Sequence, residues 1–338
     1  MRVITLDMYA DVLCPWAYIG LRRLGLALEE VGHDVEVRWK PYLIDPSAPR
    51  PSESLDQVLG DARAWEDLQD RTPAGGSRSD RTFEVRRLAA DLGIGPGWGP
   101  RWRANSWGAQ RLITAAGPAG PELQWTVAEE LLHAHFVAGC DVARLDVLDP
   151  IAERHGLPRP RPSVDGVDAP AYLEPGDDLR DDPLERATRE ALLTGRALGV
   201  QSSPTFVQAD RIVAAGAQPP EILAEAIAAL TPAREVPDEV RRLRSARALL
   251  EIPDPLGCLY LLEPLRPELD GDRGLELLTA RALLASASLG AARDKLAQLL
   301  DETPDDGEVH LLMSQALRRS GDTAGADRHL RRAGAVSD

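Results

Sequence analysis

The sequence predicts an α/β fold that is interrupted by an inserted helical domain and followed by an all-α domain of helical repeats. Three observations predict it: a strand–helix–strand pattern over residues 3–42, a strand–strand–helix pattern over 205–230, and a 34-residue recurrence beyond residue 238. Alternating strands and helices are typical of α/β sheets, and recurrence at this period is typical of stacked helical hairpins. The domains that follow are residues 1–232, with the helical insertion at about 55–195, and residues 233–338.

The first strand, residues 3–9, is followed by a helical pattern over residues 17–31 and a second strand over residues 35–42. Between the first strand and the helix lies Cys14-Pro15-Trp16-Ala17. Cys14 therefore falls near the N-cap of a helix, with Pro15 at a first-turn position that proline favours. Unpaired N–H groups and the helix dipole stabilise a thiolate at such a position. We expect Cys14 to be a nucleophile with a pKa well below the usual value of about 8.5; the alternative is a buried, inert cysteine.

The predicted insertion consists mainly of helices. Helical patterns cover the following residues: 55–69, 82–92, a segment from 105, 121–139, 147–155 and 182–198. Residues 71–81 and the Pro-rich residues 158–183 are predicted to be loops. Asn105 is placed to cap a helix. His135, in an apolar helix, is either a proton shuttle or a satisfied core histidine.

The second half of the α/β pattern contains Gly199-Val200-Gln201-Ser202-Ser203-Pro204-Thr205-Phe206-Val207. It continues with a hairpin of residues 205–208 and 211–214 around a turn at 209–210. A helix over residues 221–230 then completes the pattern.

These two segments resemble the thioredoxin superfamily, specifically its DsbA-like branch with the FrnE-type oxidoreductases and 2-hydroxychromene-2-carboxylate isomerases. The resemblance rests on Cys14-Pro15-Trp16-Ala17 with Tyr18-Ile19-Gly20, and on the run that ends in Pro204-Thr205-Phe206-Val207. It implies an α/β thioredoxin fold, a cis-proline at Pro204 against Cys14, and a Ser203 hydroxyl beside the sulfur. FrnE-type relatives carry a second cysteine where Ala17 stands, which implies a monothiol site here.

The same branch includes glutathione-dependent isomerases and kappa-class transferases, which carry a serine at the position of Cys14. A polar pair before their last helix grips glutathione, and it corresponds to Ala217 and Gln218, where the carboxylate is missing. The resemblance implies a low-molecular-weight thiol, glutathione or an equivalent, as a transient partner. We expect no tightly bound cofactor.

The C-terminal third repeats every 34 residues. Cys258, Ala292 and Ala326 are in register, as are Leu262, Leu296 and Leu330. Small residues alternating with large ones at this period resemble the tetratricopeptide repeat, or TPR. That resemblance implies a concave face for a peptide or a second copy of the chain. A generic amphipathic helical bundle is the alternative.

The composition narrows the function classes. Asp and Glu number 54 against 39 Lys and Arg, a net charge of −15, which disfavours nucleic-acid binding. Three widely spaced cysteines do not indicate a disulfide framework, and no Cys/His spacing indicates a zinc site. The sequence contains neither an apparent signal peptide nor an apolar run of about 18 residues. We expect a cytoplasmic protein without membrane, metal or nucleic-acid partners.

Three functions remain open at this point. The first is a cytoplasmic thiol-disulfide oxidoreductase that acts through Cys14 and an external small thiol. The second is an isomerase or transferase that holds a thiol cofactor and acts on an aromatic or polyketide-like substrate. The third is a redox-inactive thioredoxin–TPR protein that binds clients through residues 239–338.

Overall fold

The computed structural model describes residues 3–32, 34–56, 78–160, 182–234, 236–267, 269 and 271–335. They divide into two compact units, Met1–Glu235 and Val236–Asp338. The predicted helix over 55–69 lies outside the described residues from 57 onward, and the predicted loop over 158–183 lies outside them from 161 to 181. The domain limits of 1–232 and 233–338, and the insertion at about 55–195, stay predictions.

The first unit alternates strands and helices. Its elements are β1 (Ile4–Ala10), α1 (Pro15–Glu30), β2 (Val35–Pro41), β3 (Glu53–Ser54), α2 (Arg78–Asp91), β4 (Trp102–Arg103), α3 (Trp107–Ala116), α4 (Pro121–Phe136), α5 (Leu145–Arg154), α6 (Pro183–Ala197), β5 (Thr205–Gln208), β6 (Arg211–Ala215) and α7 (Pro220–Ala228).

The central sheet has four strands in the order β2-β1-β5-β6. β1 runs parallel to β2, with Ile4 opposite Val35, and antiparallel to β5, with Met8 opposite Phe206. The β5–β6 hairpin turns through Ala209 and Asp210, both with positive φ. Positive φ at both residues of a two-residue hairpin loop gives a backbone twist that matches the right-handed twist of the flanking strands. This hairpin places the segment that precedes β5 next to the end of β1.

The core of the first unit lies between the sheet and its helices. Helix α1 buries Tyr18, Leu21 and Leu24 in one cluster with Leu6 and Met8 of β1. Their spacing along α1 is that of one helix face. Burial of each such side chain contributes about 1.5–3 kcal/mol, so this face fixes α1, and with it the loop ahead of α1, on the sheet.

Several predicted helix ends are wrong. Helix α2 begins at Arg78 instead of residue 82, since polar residues predicted as loop occupy its first turn. Helix α4 ends at Phe136 instead of residue 139, because the Ala138 N–H turns back to the His133 carbonyl and Gly139 has φ +67°. The N-cap position of α3 is Ser106 and not the predicted Asn105, but the Ser106 side chain makes no capping hydrogen bond, whereas Oδ1 of Asn105 accepts from the Trp107 N–H.

The second unit is all-α. Its helices are α8 (Asp238–Glu251), α9 (Pro255–Leu262), α10 (Arg273–Ala285), α11 (Leu289–Glu302), α12 (Gly307–Arg319) and α13 (Thr323–Ala335). The helices α9, α11 and α13, each the second of a pair, begin 34 residues apart. The in-register residues Cys258, Ala292 and Ala326 are fully buried. Membership of the tetratricopeptide family stays a prediction.

Among the described helices of both units, none has the length and the apolar content that crossing a membrane requires.

Candidate thiol site

Cys14 is the N-cap residue of α1, with Pro15 at the first helical position. Its backbone is extended (φ −89°, ψ 116°), and its N–H donates to the Asp11 carbonyl at 3.0 Å. The Cys14 carbonyl accepts from the Ala17 N–H, also at 3.0 Å. These bonds form a tight turn between β1 and α1 that fixes the direction of the Cys14 side chain.

The loop ahead of β5 meets this turn from the other half of the unit. The Ser203–Pro204 peptide bond is cis. The Cys14 thiol donates to the Ser203 carbonyl at 3.2 Å, and the Asp11 N–H donates to the Ser203 hydroxyl oxygen at 3.0 Å. Cys14, Ser203 and Pro204 therefore form one site, although 189 residues separate the cysteine from the serine.

Gly20 permits the close approach of α1 to this loop. A Cβ atom at Gly20 would lie 2.6 Å from Cγ of Pro204 and 3.6 Å from Cβ of Ala217. The first distance is far inside van der Waals contact, so a side chain here would displace the Pro204 ring. The glycine of the Tyr18-Ile19-Gly20 run thus has a packing role in the site.

The sulfur is neutral and buried. Only 6% of Cys14 is exposed, and this burial raises the pKa of the Cys14 thiol to about 11; the Asp11 charge adds to the rise. Hydrogen bonds from Ser203 and from the Ala17 and Trp16 N–H groups lower the pKa by less. The expectation of a pKa below 8.5 is wrong, because loss of hydration outweighs the favourable helix N-terminus.

Asp11 is the site residue that the sequence analysis did not identify. Its side chain is fully buried. Its Oδ2 accepts from the Ile44 N–H at 2.8 Å and its Oδ1 from the Leu13 N–H at 3.2 Å. Burial raises the pKa of Asp11 to about 6, although hydrogen bonds from Ile44, Ser106 and others oppose the rise. The sequence feature that could have identified Asp11 is its position three residues before Cys14, between the predicted strand and helix.

The remaining motif residues surround the sulfur without adding a second one. Ala17 is fully buried, whereas Pro15 and Trp16 are half-buried. Cys140 and Cys258 are free thiols, as is Cys14. The motif therefore contributes one thiol, and no disulfide joins it to either of the other two cysteines.

Ala217 and Gln218 lie at the loop before α7. The Ala217 carbonyl accepts from Nη1 of Arg23, in α1, at 2.5 Å. The Gln218 side chain donates to the Ala215 carbonyl at 2.7 Å. Ala217 thus adjoins the Gly20–Pro204 contact, while the amide of Gln218 is engaged by its own loop.

The structure does not link Asn105 or His135 to the sulfur. Oδ1 of Asn105, which is buried, accepts from the Trp107 N–H at 3.0 Å and so braces the start of α3. His135 is 2% exposed, and burial lowers its pKa to about 4. Its ring stands edge-on to Phe136. Within the described part of the chain, neither side chain is hydrogen-bonded to Cys14, and no cluster of three or more metal-ligating residues occurs.

A four-stranded mixed sheet with a cysteine facing a cis-proline loop at the head of its first helix defines a thioredoxin-type domain. The model of the DSBA-like thioredoxin domain matches residues 5–228. The chain belongs to this family, and the predicted thioredoxin fold is confirmed.

The solved structures similar to the chain include the following three. A probable DsbA oxidoreductase from Streptomyces coelicolor is 19% identical over 69% of this chain and 94% of its own, with a TM-score of 0.48. A 2-hydroxychromene-2-carboxylate isomerase is 15% identical over 66% and 94%, with a TM-score of 0.43. The cytosolic disulfide reductase DsbM from Pseudomonas aeruginosa, solved with GSH, is 19% identical over 66% and 96%, with a TM-score of 0.36. No curated protein sequence matches the chain.

Proposed function

We propose that this protein is a monothiol thiol-disulfide oxidoreductase in which Cys14 is the nucleophile and an external small thiol completes the cycle. The observation that carries the proposal is the hydrogen bond from the Cys14 thiol to the carbonyl that precedes the cis-proline. It fixes the sulfur beside a backbone edge where a second sulfur compound can bind. Ala17, at the position of a resolving cysteine, supports the monothiol form.

The proposed reaction has two exchange steps. The Cys14 thiolate attacks one sulfur of a disulfide RS–SR; the bond from Cys14 to that sulfur forms, the RS–SR bond breaks, and the departing RS⁻ takes up a proton. An external thiolate R′S⁻ then attacks the R-bearing sulfur of the mixed disulfide. RS–SR′ leaves, and Cys14 is released and reprotonated to restore its bond to Ser203.

Ser203 supports the first step. Its oxygen accepts the Asp11 N–H, which leaves its own hydroxyl hydrogen available to the Cys14 sulfur. Hydrogen bonding by Ser203 lowers the pKa of Cys14, since a donor stabilises the anion more than the neutral thiol. Loss of the hydroxyl should therefore slow the attack.

The test is adduct formation with glutathione disulfide, followed by the mass of the peptide that contains Cys14. We expect one adduct on Cys14 that an added small thiol removes, and slower formation in Ser203→Ala. Cys14→Ser is the control and should form no adduct on that peptide. A wild-type Cys14 that stays unmodified at every pH would contradict the proposal.

A second candidate function is favoured by one observation: Cys14 is a neutral donor of a hydrogen bond. A neutral thiol can hold the thiolate of a bound small thiol without exchanging with it, as an isomerase or transferase on an aromatic or polyketide-like substrate would require. Reversible binding of reduced glutathione that survives Cys14→Ser, since serine also donates, would support this candidate. Loss of this glutathione binding in Cys14→Ser, together with a covalent adduct on wild-type Cys14, would support the oxidoreductase function.

For the second unit we infer a tetratricopeptide-like stack. Helix starts that recur every 34 residues, with small buried residues in register, support this inference. We also propose a reducing, cytoplasmic setting, which the three free thiols support.

A further inference from the structure

Asp11 is a carboxylic acid that is fully buried beside the Cys14 turn. Within the described part of the chain, no Lys, Arg or His side chain pairs with its carboxylate. Burying an ionised carboxylate without a counter-ion is unfavourable by several kcal/mol. A group of this kind beside a nucleophile is a candidate for a functional role.

Asp11 is also the hydrogen-bonding centre of the site. Its carboxylate accepts from Leu13 in the turn before α1 and from Ile44 in the segment after β2, and Nε2 of Gln110 lies 3.5 Å from Oδ1. Its main chain bonds to both partners of the thiol hydrogen bond: the N–H to the Ser203 hydroxyl and the carbonyl to the Cys14 N–H.

We propose that Asp11 is a positioning residue that holds the Cys14 turn against Ser203 and, while ionised, keeps Cys14 in its thiol form. The proposal rests on the proposed exchange function of Cys14. Two observations carry it. The first is the set of bonds that joins Asp11 to Leu13, Ile44, Ser203 and Cys14. The second is that none of the cationic side chains among the described residues pairs with its carboxylate.

Among the described residues, the titratable groups whose pKa the Asp11 charge raises are Cys14 and Tyr42. The negative charge of Asp11 adds to the burial that raises the pKa of Cys14 and the pKa of Tyr42. The other side chains bonded to Asp11, those of Ser106, Gln110 and Ser203, are uncharged. Protonation of Asp11 removes one unit of negative charge from a water-poor site, and the Cys14 thiolate then forms more readily.

The experiment measures the rate at which methyl methanethiosulfonate modifies Cys14 in the full chain from pH 4.5 to 8.5. In the wild type, ionisation of Asp11 near pH 6 should flatten the rise of log rate with pH. Above about pH 6 the measured rate should be about three- to tenfold lower than the rate obtained by extending the line fitted at acid pH. In Asp11→Asn the rise should have unit slope throughout.

Asp7→Asn is the matched control. Asp7 lies in β1, four residues before Asp11, with its side chain 29% exposed and paired with Lys40, so a carboxylate charge is removed nearby but from a wetter, paired position. It should retain the wild-type flattening. Unit slope in the wild type, or flattening that persists in a folded Asp11→Asn, would overturn the role of Asp11.

The same experiment distinguishes failure of the proposed exchange function from failure of the role of Asp11. If methyl methanethiosulfonate modifies Cys14 in none of the three proteins at any pH, the exchange function is wrong. If Cys14 reacts but shows unit slope, only the role of Asp11 is wrong. Should Asp11→Asn not fold, as judged by circular dichroism, the wild-type and Asp7→Asn profiles decide the question.

Discussion

Replacing Gly20 with alanine tests whether the contact between α1 and the cis-proline loop organises the site. A Cβ atom at this position would lie 2.6 Å from Cγ of Pro204. Overpacking of this kind destabilises by about 1–3 kcal/mol, whereas alanine improves helix propensity by about 1 kcal/mol. The net change in the free energy of unfolding should lie between none and a loss of about 2 kcal/mol.

Gly25→Ala in the same helix is the matched control. Its Cβ would lie 3.7 Å from Trp125, an ordinary contact, so this variant should gain about 0.5–1 kcal/mol. Because helix propensity cancels between the variants, their difference of about 1–3 kcal/mol isolates the clash with Pro204. Urea denaturation measures both values. Equal stabilisation by the two alanines would refute the proposed packing role of Gly20.

A displaced Pro204 should also change the chemistry. The Ser203 carbonyl that accepts the Cys14 thiol belongs to the same peptide unit as the Pro204 nitrogen. We therefore expect Gly20→Ala to alter the rate of adduct formation at Cys14, and Gly25→Ala to leave it unchanged. A folded Gly20→Ala with the wild-type rate would show that the sulfur does not depend on this contact.

Three further changes give separate outcomes. Ala17→Cys supplies an internal thiol, so the mixed disulfide on Cys14 should resolve without an added thiol; persistence of the adduct, followed by mass, would contradict this. Glu185→Gln removes the buried carboxylate that pairs with Arg111 and Arg189, and it should lower the free energy of unfolding in urea by about 3–5 kcal/mol. The exposed Glu225→Gln is the control and should change it by about 0.5 kcal/mol. Burial lowers the pKa of His135 to about 4, so protonation of this histidine favours the unfolded protein. Its contribution to the free energy of unfolding is present above pH 6.5 and falls by about 3 kcal/mol as the pH decreases from 6.5 to 4. The free energy of unfolding of His135→Phe, measured against pH, should lack this decrease.

Much of the fold was predictable because it depends on local patterns. The alternation of β1, α1 and β2, and the hairpin around Ala209 and Asp210, follow from periodicity and turn preferences. Helix ends were less predictable. The end of α4 depends on Gly139 and on a carbonyl of His133 that bonds twice, and such end geometry is not encoded in the apolar period.

The site residues that belong to a recognisable sequence motif were predictable. Cys14, Ser203 and Pro204 were identified from two segments, and the structure brings them together. Asp11 was missed, because what distinguishes it is complete burial, produced by segments around Ile44, Gln110 and Ser203 that are remote in sequence. Burial of that kind is a property of the packed structure rather than of any single stretch of the chain.

The helix N-terminus and burial act in opposite directions on the protonation state of Cys14, and their sizes differ. The end of a helix favours an anion by about 0.3–1 kcal/mol, and by up to about 2 kcal/mol in partly buried positions. Raising the pKa of the thiol from 9.0 to about 11 corresponds to about 3 kcal/mol against the thiolate. Burial therefore prevails, and a helix N-terminus alone does not make a thiolate. In the proposed exchange the reactive thiolate of Cys14 is therefore a minor species, and loss of the charge on Asp11 increases its share.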